Sequence, residues 1–110
     1  IISMANFNDE IVLQVWEKAK VVQGADPNVW RKDYAGAWIN FNQRKTEDLY
    51  GWEIDHQNPV ANGGKDNLSN LQPLHWRNNR CKSDNYPQWT TCLTGGNKCN
   101  VEKEQRWKVS

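Results

Sequence analysis

The chain has 110 residues, a quarter of them charged, with a formal net charge of +1. That length supports one domain with a small core, and the near-zero charge excludes a polycation that would grip polyanions by bulk charge alone. No apolar run approaches the length of a membrane-spanning helix.

Asn8 or Asp9 can cap a first helix. Val12, Val15, Trp16 and Ala19 fall at helical spacing and form one apolar stripe. This helix is expected to fade by Gln23-Gly24, followed by a turn at Asp26-Pro27-Asn28. Val29 to Tyr34 is ambiguous. Ala37 to Phe41 reads as a strand from its β-branched and aromatic content, and Asn42 to Asp48 as a polar loop. Trp52 to His56 alternates, with Trp52, Ile54 and His56 on one side and Glu53 and Asp55 on the other, which predicts a strand. Gln57 to Ser69 is a long loop containing Pro59 and Gly63-Gly64; loops of this length are usually functional or disordered. Leu71 to Leu74 predicts a short strand, and Pro73 suggests a sheet edge. A helix is expected from about His75 to Asp84, ended by Tyr86-Pro87. Trp89 to Trp107 reads as a hairpin around Gly95-Gly96.

Strongly hydrophobic residues are few, and the seven tryptophans compensate as core and half-buried rim, with base stacking a weaker alternative for one or two. The three cysteines, Cys81, Cys92 and Cys99, contain no C-x-x-C, which excludes a four-cysteine zinc site within the chain. Cys92 and Cys99 flank Gly95-Gly96 and can bridge a hairpin in an oxidising compartment; free thiols are the equal alternative. Ile1-Ile2-Ser3 ahead of Met4 hide any original targeting segment. No signal peptide is visible, and the visible sequence favours a cytoplasmic over a secreted setting.

The chemistry concentrates in Asp55-His56, Asn70 fourteen positions later, and Asn79 nine after that. Hydrolysing a phosphodiester needs a base for water, a cation against the charge growing on phosphate, and help for the leaving oxygen. His56 suits the first task, because an imidazole can hold a proton transiently near neutral pH. Asp55 supplies the hard anionic oxygen that Mg²⁺ or Mn²⁺ prefers, and the Asn79 amide oxygen can be a second ligand. Adjacent strand residues point to opposite faces, so Asp55 and His56 need a twist at the strand end to share a site. Asn70 can donate and accept together, and is expected to tie down the backbone around His56. Lys65, Arg77, Arg80 and Lys82 outnumber Asp66 in this region and are candidate phosphate contacts, with Lys82 on the helical face of Asn79. Asn78 competes with Asn79, and helix register decides between them.

These residues, with Pro59, Gly63-Gly64, Asn70-Leu71-Gln72 and Asn79-Arg80-Cys81-Lys82-Ser83-Asp84, make Trp52 to Asp84 resemble the HNH endonuclease module, the ββα-metal fold. The spacing is similar to the HNH domain of RNA-guided DNA-cleaving enzymes. Trp30 to Asp33 and Ala37 to Ile39 resemble segments upstream of the module in some bacterial HNH proteins. The resemblance implies an α+β chain: a small ββα-metal core with an N-terminal helix and flanking short strands, one domain over 1–110. It implies His56 as general base, Asn70 orienting it, Asp55 and Asn79 holding one divalent ion, and nucleic acid as the partner, double-stranded DNA foremost. Many HNH proteins also carry two C-x-x-C pairs for structural zinc. Here the places after Leu74 hold His75 and Asn78, so structural zinc is not expected. His75 is read as a satisfied structural group before a metal ligand or phosphate contact, and Glu53 as a solvent-facing or ion-paired acid before a support of the metal site. A silent nucleic-acid-binding module and a secreted or phage-associated interaction domain are the alternatives.

Overall fold

Helix α1 covers Asp9–Trp16 in the computed structural model, which describes residues 6–109; the segment Ile1-Ile2-Ser3-Met4 lies outside the described residues. The Asn8 side chain caps α1 by accepting from the Ile11 N–H at 2.9 Å. Asp9 and Glu10 place negative charge at the positive end of the helix dipole. The helix ends well before Gln23-Gly24. Lys18 and Ala19 turn back onto Val15 and Trp16, and Lys20 exchanges two backbone hydrogen bonds with Lys32. That bridge requires extended backbone, which outweighs the helical preference of the sequence. Ala19 stays in the apolar stripe nonetheless.

Three antiparallel pairs follow: β1 (Trp30–Lys32) with β2 (Trp38–Asn40), β3 (Trp52–His56) with β4 (Leu71–His75), and β5 (Gln88–Gly95) with β6 (Asn100–Lys108). Helix α2, Trp76–Lys82, follows β4 without a break and packs against β5. The chain is therefore α+β. In the β3–β4 register Asp55 stands opposite Gln72, His56 opposite Leu71, and Pro73 opposite Ile54. Pro73 is accommodated because β4 pairs with β3 alone.

The core joins Val12, Val15, Trp16 and Ala19 of the N-terminal segment to Ile39, Trp52 and Leu71. Trp16, Trp52 and Phe41 meet ring to ring, with centroids 5.3–6.2 Å apart. Burying each such side chain contributes roughly 1.5–3 kcal/mol. The indoles of Trp16, Trp52, Trp76, Trp89 and Trp107 each donate to an oxygen, of Pro27, Phe41, Asp48, Tyr34 and Thr91 in turn.

A second, polar centre lies where the resemblance would place a zinc pair. Asp33 is fully buried, and its carboxylate accepts from the Ala37 and His75 backbone N–H groups and from Asn78 Nδ2, at 2.9–3.0 Å. Asn78 also receives the Cys92 and Leu93 N–H groups and donates to the Leu93 carbonyl. One amide thus stitches α2 to β5 and to the segment after β1. Burial pushes the Asp33 carboxyl above its ordinary value, against the pull of these donors.

The α2–β5 packing also corrects the cysteine expectation. Cys81 of α2 is bonded to Cys92 of β5, with Cα atoms 6.2 Å apart, and Cys99 is free and exposed. Cys92 cannot serve both partners, and the helix presents Cys81 to it directly.

Candidate active site

The loop after β3 is closed by side-chain amides and two glycines. Asn70 Oδ1 accepts from the Asn58 N–H, while Nδ2 donates to the carbonyls of Asn58 and Lys65, at 2.8–3.0 Å. Its own carbonyl accepts from the Gln57 N–H, next to His56. Gly63 adopts a left-handed φ of 88°, and a Cβ on Gly64 would lie 1.7 Å from the Asn58 carbonyl oxygen. This loop borders a cavity of about 780 Å³ together with the end of β3 and one face of α2.

Asp55, His56 and Asn79 all line that cavity, together with Glu53, Asp66, Arg80, Ser83 and Asp84. Adjacent strand residues therefore share one site at the end of β3. Helix register is equally clear: Asn79 borders the cavity, whereas Asn78 is fully buried in the Asp33 network.

Asp55 is 7% exposed, and its Oδ2 accepts from Gln72 Nε2 at 2.7 Å and lies 3.5 Å from Lys82 Nζ. Burial pushes its carboxyl above the ordinary range, opposed by the Lys82 ammonium and the Gln72 hydrogen bond. Oδ1 has no partner among the described residues. Asn79 donates through Nδ2 to Glu53 Oε1 at 2.6 Å. Because a carboxylate only accepts, this bond fixes the amide orientation and leaves Asn79 Oδ1 uncommitted. Glu53 Oε1 also receives Arg80 at 2.7 Å. Glu53 is thus an ion-paired acid that aims the Asn79 amide.

Asp55 Oδ1 and Asn79 Oδ1, without partners among the described residues and carried by two residues that border one cavity, are hard oxygens of the kind a divalent cation takes, and the Glu53 carboxylate lines the same cavity. Among the described residues no group of three His, Cys, Asp or Glu side chains could hold a metal. An ion held by Asp55 and Asn79 would therefore keep open positions for water and substrate.

His56 is 4% exposed, and its Nε2 lies 2.6 Å from Asp66 Oδ1. Asp66 sits in the loop, where no spacing signal distinguishes it. Arg44 and Lys45 also line the cavity. Their segment is carried alongside β3 by a parallel bridge from Arg44 to Trp52 and a bond from the Lys45 N–H to the Trp52 carbonyl. Neither side chain has a charged partner among the described residues, and loop residues of this kind leave no periodic trace in sequence.

The other expected phosphate contacts are placed differently. Lys82 is fully buried, with Nζ donating to the His56 carbonyl at 3.1 Å and lying 5.2 Å from the Trp89 ring centre. It is a strut between α2 and the end of β3, which corrects its assignment to substrate. Arg77 pairs with Glu102 on the surface at 3.1 Å. Lys65 is exposed and, like Arg77, is not among the cavity residues. Arg80 lines the cavity but is paired with Glu53 and Glu47. His75 caps α2: its Nδ1 accepts from the Arg77 N–H, and Nε2 donates to the Leu49 carbonyl at 2.8 Å. Burial pulls its pKa down, so the ring is a neutral structural group. None of the tryptophans lines the cavity.

No curated protein and no solved structure matches the chain. Residues 38–85 match the family model described as HNH endonuclease. That span runs from β2 through α2 and contains Asp55, His56, Asn70 and Asn79, so the part of the chain that carries the candidate site is similar to HNH endonucleases.

Proposed function

We propose that the protein is a metal-dependent endonuclease that hydrolyses phosphodiester bonds of DNA with little intrinsic sequence preference. The observation that carries this reading is the meeting of Asp55, His56 and Asn79 at one cavity within the HNH segment. The order β3, β4, α2 supports this reading, since it is the order expected of a ββα-metal core. Asp55 and Asn79 would hold Mg²⁺ or Mn²⁺, which when bound neutralises charge on the phosphate and the leaving oxygen.

His56 takes a proton from water as the water oxygen bonds to phosphorus. The bond from phosphorus to O3′ breaks, its electron pair leaves with that oxygen, and a proton from solvent water completes the 3′-hydroxyl. The products carry 5′-phosphate and 3′-hydroxyl ends. Asn70 holds the loop that frames His56. Arg44 and Lys45, with their charges unpaired, take the role of backbone phosphate contacts, and Arg80 joins them when substrate competes for its carboxylates. Contacts of this kind favour affinity over base discrimination, and double-stranded DNA is the expected substrate.

The test is supercoiled plasmid incubated with Mg²⁺ or Mn²⁺. The wild type nicks or linearises it, EDTA abolishes cleavage, and His56→Ala loses at least ~100-fold, as removal of a general base does. Equal cleavage by His56→Ala and the wild type would reject the mechanism. Asp55→Ala should weaken Mn²⁺ binding by calorimetry, and unchanged affinity would remove Asp55 from the ligand set.

A further inference from the structure

We infer that Asp66 is a positioning residue for His56, holding the imidazole in the tautomer that leaves Nδ1 to receive the water proton. The inference rests on the general-base reading of His56. It begins from the 2.6 Å contact between His56 Nε2 and Asp66 Oδ1. An ionised carboxylate has no hydrogen to give, so the shared hydrogen sits on Nε2 and Nδ1 carries the lone pair. Among the described residues no group bonds Nδ1, and His56 lines the cavity.

The two partners differ in exposure. The His56 side chain is 4% exposed and that of Asp66 is 63% exposed, so the carboxylate reaches in from a surface loop. That loop is nonetheless fixed on both flanks. The Lys65 carbonyl accepts from Asn70 Nδ2, and the Asn67 carbonyl accepts from the Asn70 N–H. Asn70 therefore reaches His56 by two routes: through Gln57 and Asn58 on the near side of the loop, and through Asp66 on the far side.

When the ring takes a proton at Nδ1 it becomes a cation, and the carboxylate already at Nε2 stabilises it. No proton moves to Asp66. This is how an acid that orients a catalytic histidine functions.

The experiment compares full-length wild type, Asp66→Ala, Asp66→Glu and His56→Ala on plasmid with Mn²⁺. Asp66→Ala is expected to lower kcat by about 10–100-fold, the usual scale for losing a group that orients a reacting one, with KM for DNA unchanged. Asp66→Glu should recover most of that loss, since the carboxylate is retained. Independently of cleavage, ¹⁵N NMR of the histidines should show His56 as the Nε2–H tautomer in wild type and as a mixture in Asp66→Ala. Wild-type kcat in Asp66→Ala, a change in KM alone, or mixed tautomers in the wild type would each overturn the inference. Should the wild type fail to cleave, the nuclease reading falls, and the tautomer measurement still decides whether Asp66 orients the ring.

Discussion

Lys82→Met separates a structural strut from a substrate contact. The Lys82 ammonium is fully buried, 3.5 Å from Asp55 Oδ2 and 3.1 Å from the His56 carbonyl oxygen. Methionine retains most of the aliphatic stem but removes the charge that stands over the Trp89 ring. Breaking a buried ion pair from one side costs about 3–5 kcal/mol. Asp55 can escape by taking up a proton, and for a carboxyl of ordinary value 3.8 that costs at most about 4 kcal/mol at pH 7. The expected loss is thus about 3–4 kcal/mol. Unfolding entropy of roughly 2 cal/mol/K per residue over this chain converts each kcal/mol into about 4 °C, so Tm should fall by about 12–17 °C. Thermal unfolding by circular dichroism in EDTA measures it without interference from metal. The double variant Asp55→Asn/Lys82→Met should fall by at least 1.5 kcal/mol less than the two single variants added together, since both remove the same pair. DNA affinity below the variant's Tm should keep its salt dependence. A Tm within about 4 °C of wild type, with a salt slope reduced by about one charge, would refute the strut and return Lys82 to the substrate.

Asn78→Asp places a second carboxylate 3.0 Å from Asp33 and removes the donor that satisfies it; urea unfolding should show a loss of at least ~3 kcal/mol. Arg44→Ala/Lys45→Ala should weaken DNA binding and lower the salt slope by about 2 while leaving kcat at saturating DNA nearly unchanged; an unaltered slope would remove this pair from the phosphate contacts. Cys81→Ser/Cys92→Ser opens a link across a short loop and should lower stability by about 2–3 kcal/mol. Cys99→Ser should leave Tm within ~2 °C, and the reverse pattern would show that Cys99 is a bonded partner.

Much of the element order was legible in the chain before any coordinates. The alternation from Trp52 to His56 marks β3 to its ends, and the stripe of Val12, Val15 and Trp16 marks the buried face of α1. Periodicity reports what each residue's immediate neighbours prefer, and here neighbours and fold agree. It misjudged the end of α1 because Lys20 pairs with Lys32, twelve residues away, and no local preference records such a partner.

The candidate site divides along the same line. Asp55, His56, Asn70 and Asn79 could be picked out because their chemistry and spacing form a pattern in one dimension. Lys82 was misassigned because helical spacing says which residues share a face, whereas the packing of β5 and Trp89 decides that this face is dry at Lys82. Asp66, Arg44 and Lys45 stand in loops, where position depends on closure by Asn70 and on the bridge to Trp52. The choice of Cys81 over Cys99 as the partner of Cys92 belongs to the α2–β5 contact. The sequence by itself determined most of the element order and the chemical types at the candidate site. Tertiary structure decided which charges face the cavity, which are sealed inside, and which acid stands behind the histidine, because burial and pairing depend on distances between segments that a linear pattern does not encode.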